Sequence, residues 1–201
     1  GVLSIIILTA VIGISFPPAH AEVTKVALVT DALFSDQGWG TNAYIAATNL
    51  SEKYGFELGT AESVAIPDIE STLRDFAEQG YDLIIAHGFQ WTDPALVVSP
   101  DYPDTKIFVF TGYASGPGVA SISPLQQEGT FPLGALAGMM TETNVVGFVG
   151  GQDYPNLINI FEGFKAGAMY TNPDVEVLVS WTGDWDDPAK GIAAAEAQIA
   201  Q

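Results

Sequence analysis

The sequence predicts an α/β fold made of parallel-sheet lobes with flanking helices. Short apolar runs of strand length alternate with stretches of helical spacing from residue 22 onward. Strands separated by helices in this way pair in parallel, through right-handed crossovers. The alternation restarts near Val145, after the longest helical stretch, so one lobe is expected over residues 22–142 and a second over residues 143–201. The last helix runs to Gln201 without a stop signal, so the second lobe is expected to be truncated, holding only its first two strands.

Each element has a local reason. Lys25-Val-Ala-Leu-Val-Thr30 is apolar enough to be a strand buried on both faces. A helix is expected over residues 41–54, stopped by Gly55, a residue favoured just past helix ends. A strand over residues 56–64 leads to Pro67-Asp68, after which Ile69, Leu73, Phe76 and Ala77 recur at helical spacing up to Gly80. Residues 82–86 read as a strand, 91–98 as a short helix, 106–110 as a strand and 119–123 as a weaker one. The longest helix covers residues 126–141. Then come a strand over 145–149, a helix over 157–171 closed by Asn172-Pro173, a strand over 175–180 and a helix opened by Asp187-Pro188.

Ahead of these elements, residues 2–16 are nearly continuous hydrophobe, broken by Pro17-Pro18 and followed by Ala19-His20-Ala21. This is the apolar region and small-residue cleavage site of a secretory signal over residues 1–21. The run falls short of the ~20 apolar residues of a membrane-spanning helix, so a retained anchor is the lesser alternative. The chain opens on Gly1 without the usual basic start, so a clipped front is expected. The chain has no cysteine, which excludes disulfides, thiolate metal sites and lipidation at a cleavage-site thiol. A mature chain starting near Glu22 and free in the periplasm is the expectation.

Twenty-four acids against six bases give a formal charge of −18. Such a field repels nucleic acid and anionic lipid, and disfavours phosphate-rich ligands. Most of these acids must lie at the surface, because unpaired buried carboxylates are costly.

The segment Asp31-Ala-Leu-Phe-Ser-Asp-Gln-Gly-Trp-Gly-Thr-Asn42 joins the first strand to the first helix. Ligands of open α/β sheets collect at the carboxyl ends of the strands. Asp31, Phe34, Asp36, Trp39 and Asn42 are therefore candidate ligand contacts, the competing reading being that both rings pack on the helix as core. Gly88-Phe89-Gln90-Trp91 and Gly112-Tyr113 end later strands at the same edge. Gly88 permits close approach of a ligand, and Phe89, Trp91 and Tyr113 are candidate walls. Asp153, which follows Gly151-Gln152 at the end of the second lobe's first strand, is a candidate from that lobe. Catalysis finds little support. His87 is the only histidine outside the leading segment, and Ser35 has no neighbouring base. Asp31, Asp36 and Asp93 lack the spacing of a hard-cation cage. No catalytic residue, metal or cofactor is expected.

Several motifs carry a resemblance. They are Phe34-Ser-Asp-Gln-Gly-Trp39 with Asn42, Ala86-His-Gly-Phe-Gln-Trp-Thr-Asp93 and Gln127-Glu-Gly-Thr-Phe-Pro-Leu-Gly-Ala-Leu-Ala137. Gly147-Phe-Val-Gly-Gly151, Phe161-Glu-Gly-Phe-Lys-Ala-Gly167, Asn172-Pro-Asp174 and Asp186-Asp-Pro-Ala-Lys-Gly191 complete the set. Together they resemble the basic membrane protein (BMP) family of substrate-binding proteins of ABC importers, many of which bind purine nucleosides. The resemblance implies a type I periplasmic-binding-protein fold with the ligand between two lobes. It implies that Trp39 and Trp185 clamp a nucleobase from opposite sides, with Asp31 matching an acid near the end of the first strand. The family's ribose-binding Asp and Lys lie beyond Gln201. A monomer serving an ABC permease in the inner membrane, closing about a hinge near residues 141–144, is the implied mechanism. A receptor domain coupled to a membrane signalling partner, and a nucleoside hydrolase, are the alternatives.

Overall fold

The computed structural model describes residues 23–185 and 187–201; the expected signal segment and Asp186 lie outside them. The α/β class expected from the alternation is what the chain adopts. Strands β1 (Lys25–Thr30), β2 (Glu57–Ala61), β3 (Leu83–His87), β4 (Lys106–Phe110) and β5 (Val119–Ile122) form one sheet in the order β2-β1-β3-β4-β5. All its pairings are parallel. Helices α1 (Trp39–Tyr54), α2 (Ile69–Glu78) and α3 (Thr92–Val98) are its crossovers.

Burial explains the strand sequences. Ala27, Val29, Ile84, Ala86, Ile107 and Val109 point to one face, where Ile69, Leu73 and Ala77 of α2 and Ala95 and Val98 of α3 cover them. Val26 and Leu28 are buried on the opposite face, where α1 packs on β1. A central strand covered on both sides has no polar face, hence the unbroken apolar run. Each fully buried side chain such as Leu73 contributes roughly 1.5–3 kcal/mol. Trp91 is completely buried in this core, so it is no cavity wall.

Register aligns the site. Thr30 pairs with His87, and His87 with Phe110, so β1, β3 and β4 end in one row. The segments that follow these three strands therefore emerge side by side at the carboxyl edge.

Beyond β5 the chain forms α4 (Gln126–Met140), β6 (Val145–Gly150), α5 (Pro155–Thr171), β7 (Glu176–Trp181) and α6 (Pro188–Ile199). β6 and β7 pair in parallel as a second sheet. α4 precedes the boundary expected at residue 142, yet its packing partner is α5. Glycines make the helix pair close. A Cβ on Gly134 would lie 1.8 Å from the Phe164 carbonyl oxygen, and one on Gly167 would lie 1.9 Å from that of Phe131. Among the described residues no helix is long and apolar enough to cross a membrane.

Candidate functional site

The loop after β1 is held by one carboxylate. Asp36 Oδ1 accepts the backbone N–H of Gly38 at 2.8 Å, that of Thr41 at 3.0 Å and the Thr41 hydroxyl at 3.0 Å. Its Oδ2 accepts the Gly40 N–H at 2.7 Å. Burial pushes this carboxyl up, but the hydrogen bonds outweigh it and hold the pKa at about 2. Asp36 therefore does the work of an N-cap for α1, because Gly38, which occupies the cap position, has no side-chain oxygen. Gly40 is needed where the loop folds back, since a Cβ there would meet the Leu33 carbonyl oxygen at 2.2 Å. With this cap the helix starts at Trp39, two residues before the expected start.

That start fixes Trp39. Its indole lies on the His87 imidazole, with ring centroids 4.0 Å apart, and 5.5 Å from Phe110. His87 in turn stacks on Phe110 at 5.1 Å. Stacked pairs of this kind contribute roughly 0.5–1.5 kcal/mol each beyond area burial. His87 Nε2 is 3.2 Å from the Trp39 carbonyl oxygen. A carbonyl only accepts, so Nε2 carries the proton and donates it. Burial lowers the His87 pKa to about 4, against the upward pull of that bond and of the Asp36 charge. The imidazole is thus a neutral platform beneath an indole that keeps 37% of its surface open.

A cavity of about 390 Å³ opens above this platform, between the two sheets. Six expected contacts line it: Asp31, Asp36, Trp39, Gly88, Phe89 and Trp185. Trp185 is 51% exposed. Its ring lies over Gly151, where a Cβ would come within 2.5 Å of the indole Cε3. Between Phe89 and Trp185 stands Tyr154, at the start of α5. It stacks on Phe89 at 5.7 Å with 20° between planes, and meets Trp185 edge-on at 6.4 Å. Burial, with the charges of Asp31 and Asp153, raises the Tyr154 pKa. Thr111, with φ at +64°, also lines the cavity, a strained backbone of the kind that concentrates at binding sites. A second cavity of about 310 Å³ shares Asp31, Tyr154 and Trp185 and continues to Leu33, Val64 and Ile66.

Four expected contacts line neither cavity. Phe34 stacks on Tyr44 at 4.6 Å, which satisfies its ring on α1. Asn42 is exposed on α1, its backbone N–H bonded to the Gly38 carbonyl. Tyr113 stands against Phe89 at 4.7 Å, and the Asp93 carboxylate, with burial, pushes its pKa up to about 12. Asp153 is exposed, and its charge helps to raise the Tyr154 pKa. Sequence reasoning missed Tyr154, Asn156 and Leu157 at the start of α5, Gln126 at the start of α4, and Gln90. The available signal was Tyr154-Pro155, a ring just before a proline suited to the first helical turn. Among the described residues no group of three or more His, Asp or Glu side chains could hold a metal ion.

Residues 23–201 match the family model described as Bmp, ABC transporter substrate-binding protein PnrA-like. The chain is 32% identical over 187 residues to a purine-binding protein of Brucella abortus (strain 2308), covering 91% of this chain and 53% of the relative. It is 29% identical over 176 residues to the transcriptional activator protein med of Bacillus subtilis (strain 168), covering 87% and 55%. A solved ABC transporter solute-binding protein from Aeropyrum pernix K1 aligns with a TM-score of 0.81 at 27% identity, covering 89% of this chain and 52% of that one. The chain spans about half the length of these relatives. With the fold, the cavity at the strand ends and the family match in agreement, this chain belongs to the Bmp family of PnrA-like ABC transporter substrate-binding proteins, a family of binders rather than enzymes.

Proposed function

We propose that the protein captures a purine nucleoside, or a similar heteroaromatic small molecule, in the cavity between its sheets. The observation that carries this reading is that Trp39, beside the first sheet, and Trp185, beside the second, border the same cavity of about 390 Å³. That volume suits a small ligand. Flat rings stack on indoles, and the acceptor oxygens of Asp31 suit a donor-bearing edge. No Lys or Arg is among the described residues lining the cavity, which favours a nucleoside over a nucleotide. The purine-binding relative in Brucella abortus supports the same ligand class. Ligand touching both sides would favour the closed arrangement of two lobes. We read the physiological setting as export with removal of residues 1–21, monomeric capture in the periplasm, and delivery to an ABC permease of the inner membrane. The test is calorimetric titration of a nucleoside panel into the full chain and its Trp39→Ala variant. The variant should bind at least ~10-fold more weakly, in line with the loss of stacking and of buried ring area; an unchanged dissociation constant rejects the clamp.

A second reading, a ligand-sensing component of a regulatory system, is favoured by the likeness to the Bacillus subtilis activator. Removing the partner permease separates the two. Lost nucleoside uptake marks a transporter component, whereas a ligand response that persists without the permease marks a sensor.

A further inference from the structure

We propose that the second cavity is an outer subsite for a neutral apolar group carried by the bound heterocycle, a substituent of about the size of benzyl. The inference rests on the nucleoside reading above and narrows the class of ligand that the cleft prefers.

The second cavity, of about 310 Å³, shares Asp31, Tyr154 and Trp185 with the first. A ring stacked on Trp185 therefore has this second space at its margin. The other walls are mostly apolar. Leu33 comes from the loop after β1, and Val64, Ala65 and Ile66 from the loop after β2. Leu33 is 43% exposed and Ile66 53% exposed. Apolar side chains scattered singly over a surface need no explanation, but these converge on one cavity that adjoins the candidate ligand site.

The walls are held in place. The Ser63 N–H donates to the Ala32 carbonyl at 3.1 Å and the Val64 N–H to that of Thr30 at 3.1 Å, so the two loops are stitched together. The Glu62 carboxylate accepts the Phe34 N–H between the same loops. Ser63 adopts a φ of +52° here, a left-handed conformation that is unfavourable for a residue with a Cβ. Val64 packs on the buried core of the first sheet. On the opposite side Tyr154 rests on Phe89, and its carbonyl accepts the N–H groups of Leu157 and Ile158 at 2.9 Å. A wall fixed before the ligand arrives loses little entropy on binding, which raises affinity.

The lining selects the occupant. Asp31 is the one charged side chain among the described residues of this cavity, so an anionic group would meet no counter-charge there. An apolar group would leave water for Leu33, Val64, Ala65, Ile66 and two aromatic rings. An apolar cavity of about 150 Å³ is enough to hold benzene, so the space admits a phenyl ring.

The experiment measures, by calorimetry on the full chain, the binding of adenosine and of three benzylated adenosines, substituted at N6, at C8 and at the 5′-oxygen. The three positions cover the edges that the ligand can turn toward the second cavity. At least one isomer should bind about tenfold or more tightly than adenosine. Leu33→Ser makes the wall polar, and Ala65→Trp fills the space from an exposed position. Each variant should bring the ratio of benzylated to plain ligand below about threefold. Because both ligands are measured on the same variant, the ratio cancels any general loss of folding or closure. If adenosine binds and no isomer gains over it, the subsite is rejected while the nucleoside reading stands. A gain that survives in both variants places the substituent elsewhere and overturns the assignment. If adenosine and its derivatives all fail to bind, the nucleoside reading falls and this inference with it.

Discussion

The imidazole of His87 lies 4.0 Å from the indole of Trp39, at 27° between planes, and hydrogen-bonds to that residue's own carbonyl. One buried side chain thus supports both the ring and the backbone of the candidate clamp. Protonating it would put a charge where only 8% of its surface meets solvent. The folded-state pKa of about 4 lies below the ordinary 6.5. The neutral-His contribution is therefore complete above pH 6.5 and is lost as pH falls from there to about 4, where the folded state also takes up the proton. The loss amounts to about 3 kcal/mol at most. Urea unfolding at pH 7, 5.5 and 4 should show a steeper fall for the native chain than for His87→Phe, which keeps a ring and removes the titration. Equal falls would show that His87 ionises freely.

Trp185 owes its position to a missing side chain. A Cβ at residue 151 would sit 2.5 Å from the indole Cε3, so Gly151→Ala must push the ring off its seat. The ring is half exposed and free to move, so folding should be little affected. Nucleoside affinity should drop about tenfold, the scale of one lost ring stack with its buried area. Tryptophan emission should shift in Gly151→Ala but not when the same glycine is replaced in a Trp185→Phe background. Unchanged affinity would mean that Trp185 is a bystander.

Asp36 should be a stability residue first and a ligand contact second. Its oxygens are occupied by three backbone N–H groups and the Thr41 hydroxyl at the start of α1. Asp36→Ala should cost about 1 kcal/mol, the usual price of a lost cap, read as a lower urea midpoint. Binding should weaken less than in Trp39→Ala, because the ring remains on His87. Its carboxyl is held near 2, so this support is present at neutral pH and fades only as pH falls from about 4 toward 2. A binding loss equal to that of Trp39→Ala, without loss of stability, would reverse the assignment.

Most of the architecture was legible because its signals are local. Strands covered on both faces, such as Val26 to Val29, have to be apolar throughout, and Gly55 ends α1 in the left-handed conformation expected of it. The errors arise where a residue's partner is distant or unusual. The start of α1 was misplaced because the capping oxygens come from Asp36, two residues ahead of the cap position. Phe34 stands in the same loop as Trp39, and only the tertiary contact with Tyr44 separates their fates. Tyr154 was overlooked because its role depends on Phe89, which belongs to the other sheet's edge. Trp185, by contrast, is suggested by the family resemblance and by no pattern of periodicity.

The pairing of α4 with α5 was written in glycines at four-residue spacing, Gly134 and Gly138 on one helix, Gly163 and Gly167 on the other. Each lies against backbone of the opposite helix: Phe164, Ala168, Gln127 and Phe131 respectively. Backbone cannot step aside as a flexible side chain can, so any Cβ here must separate the helices. Gly167→Ala should destabilise by about 1–3 kcal/mol, the range of core overpacking, and Gly134→Ala similarly. The double variant should cost less than the sum of the two, because the first substitution already moves the helices apart. Equilibrium unfolding of the two single variants and the double variant decides this. Full additivity would show that the glycines relieve separate local clashes rather than setting one interhelical distance. Both helices also carry cavity walls at their N-termini, Gln126 and Asn156. A wider helix pair should therefore weaken nucleoside binding in proportion to the stability lost.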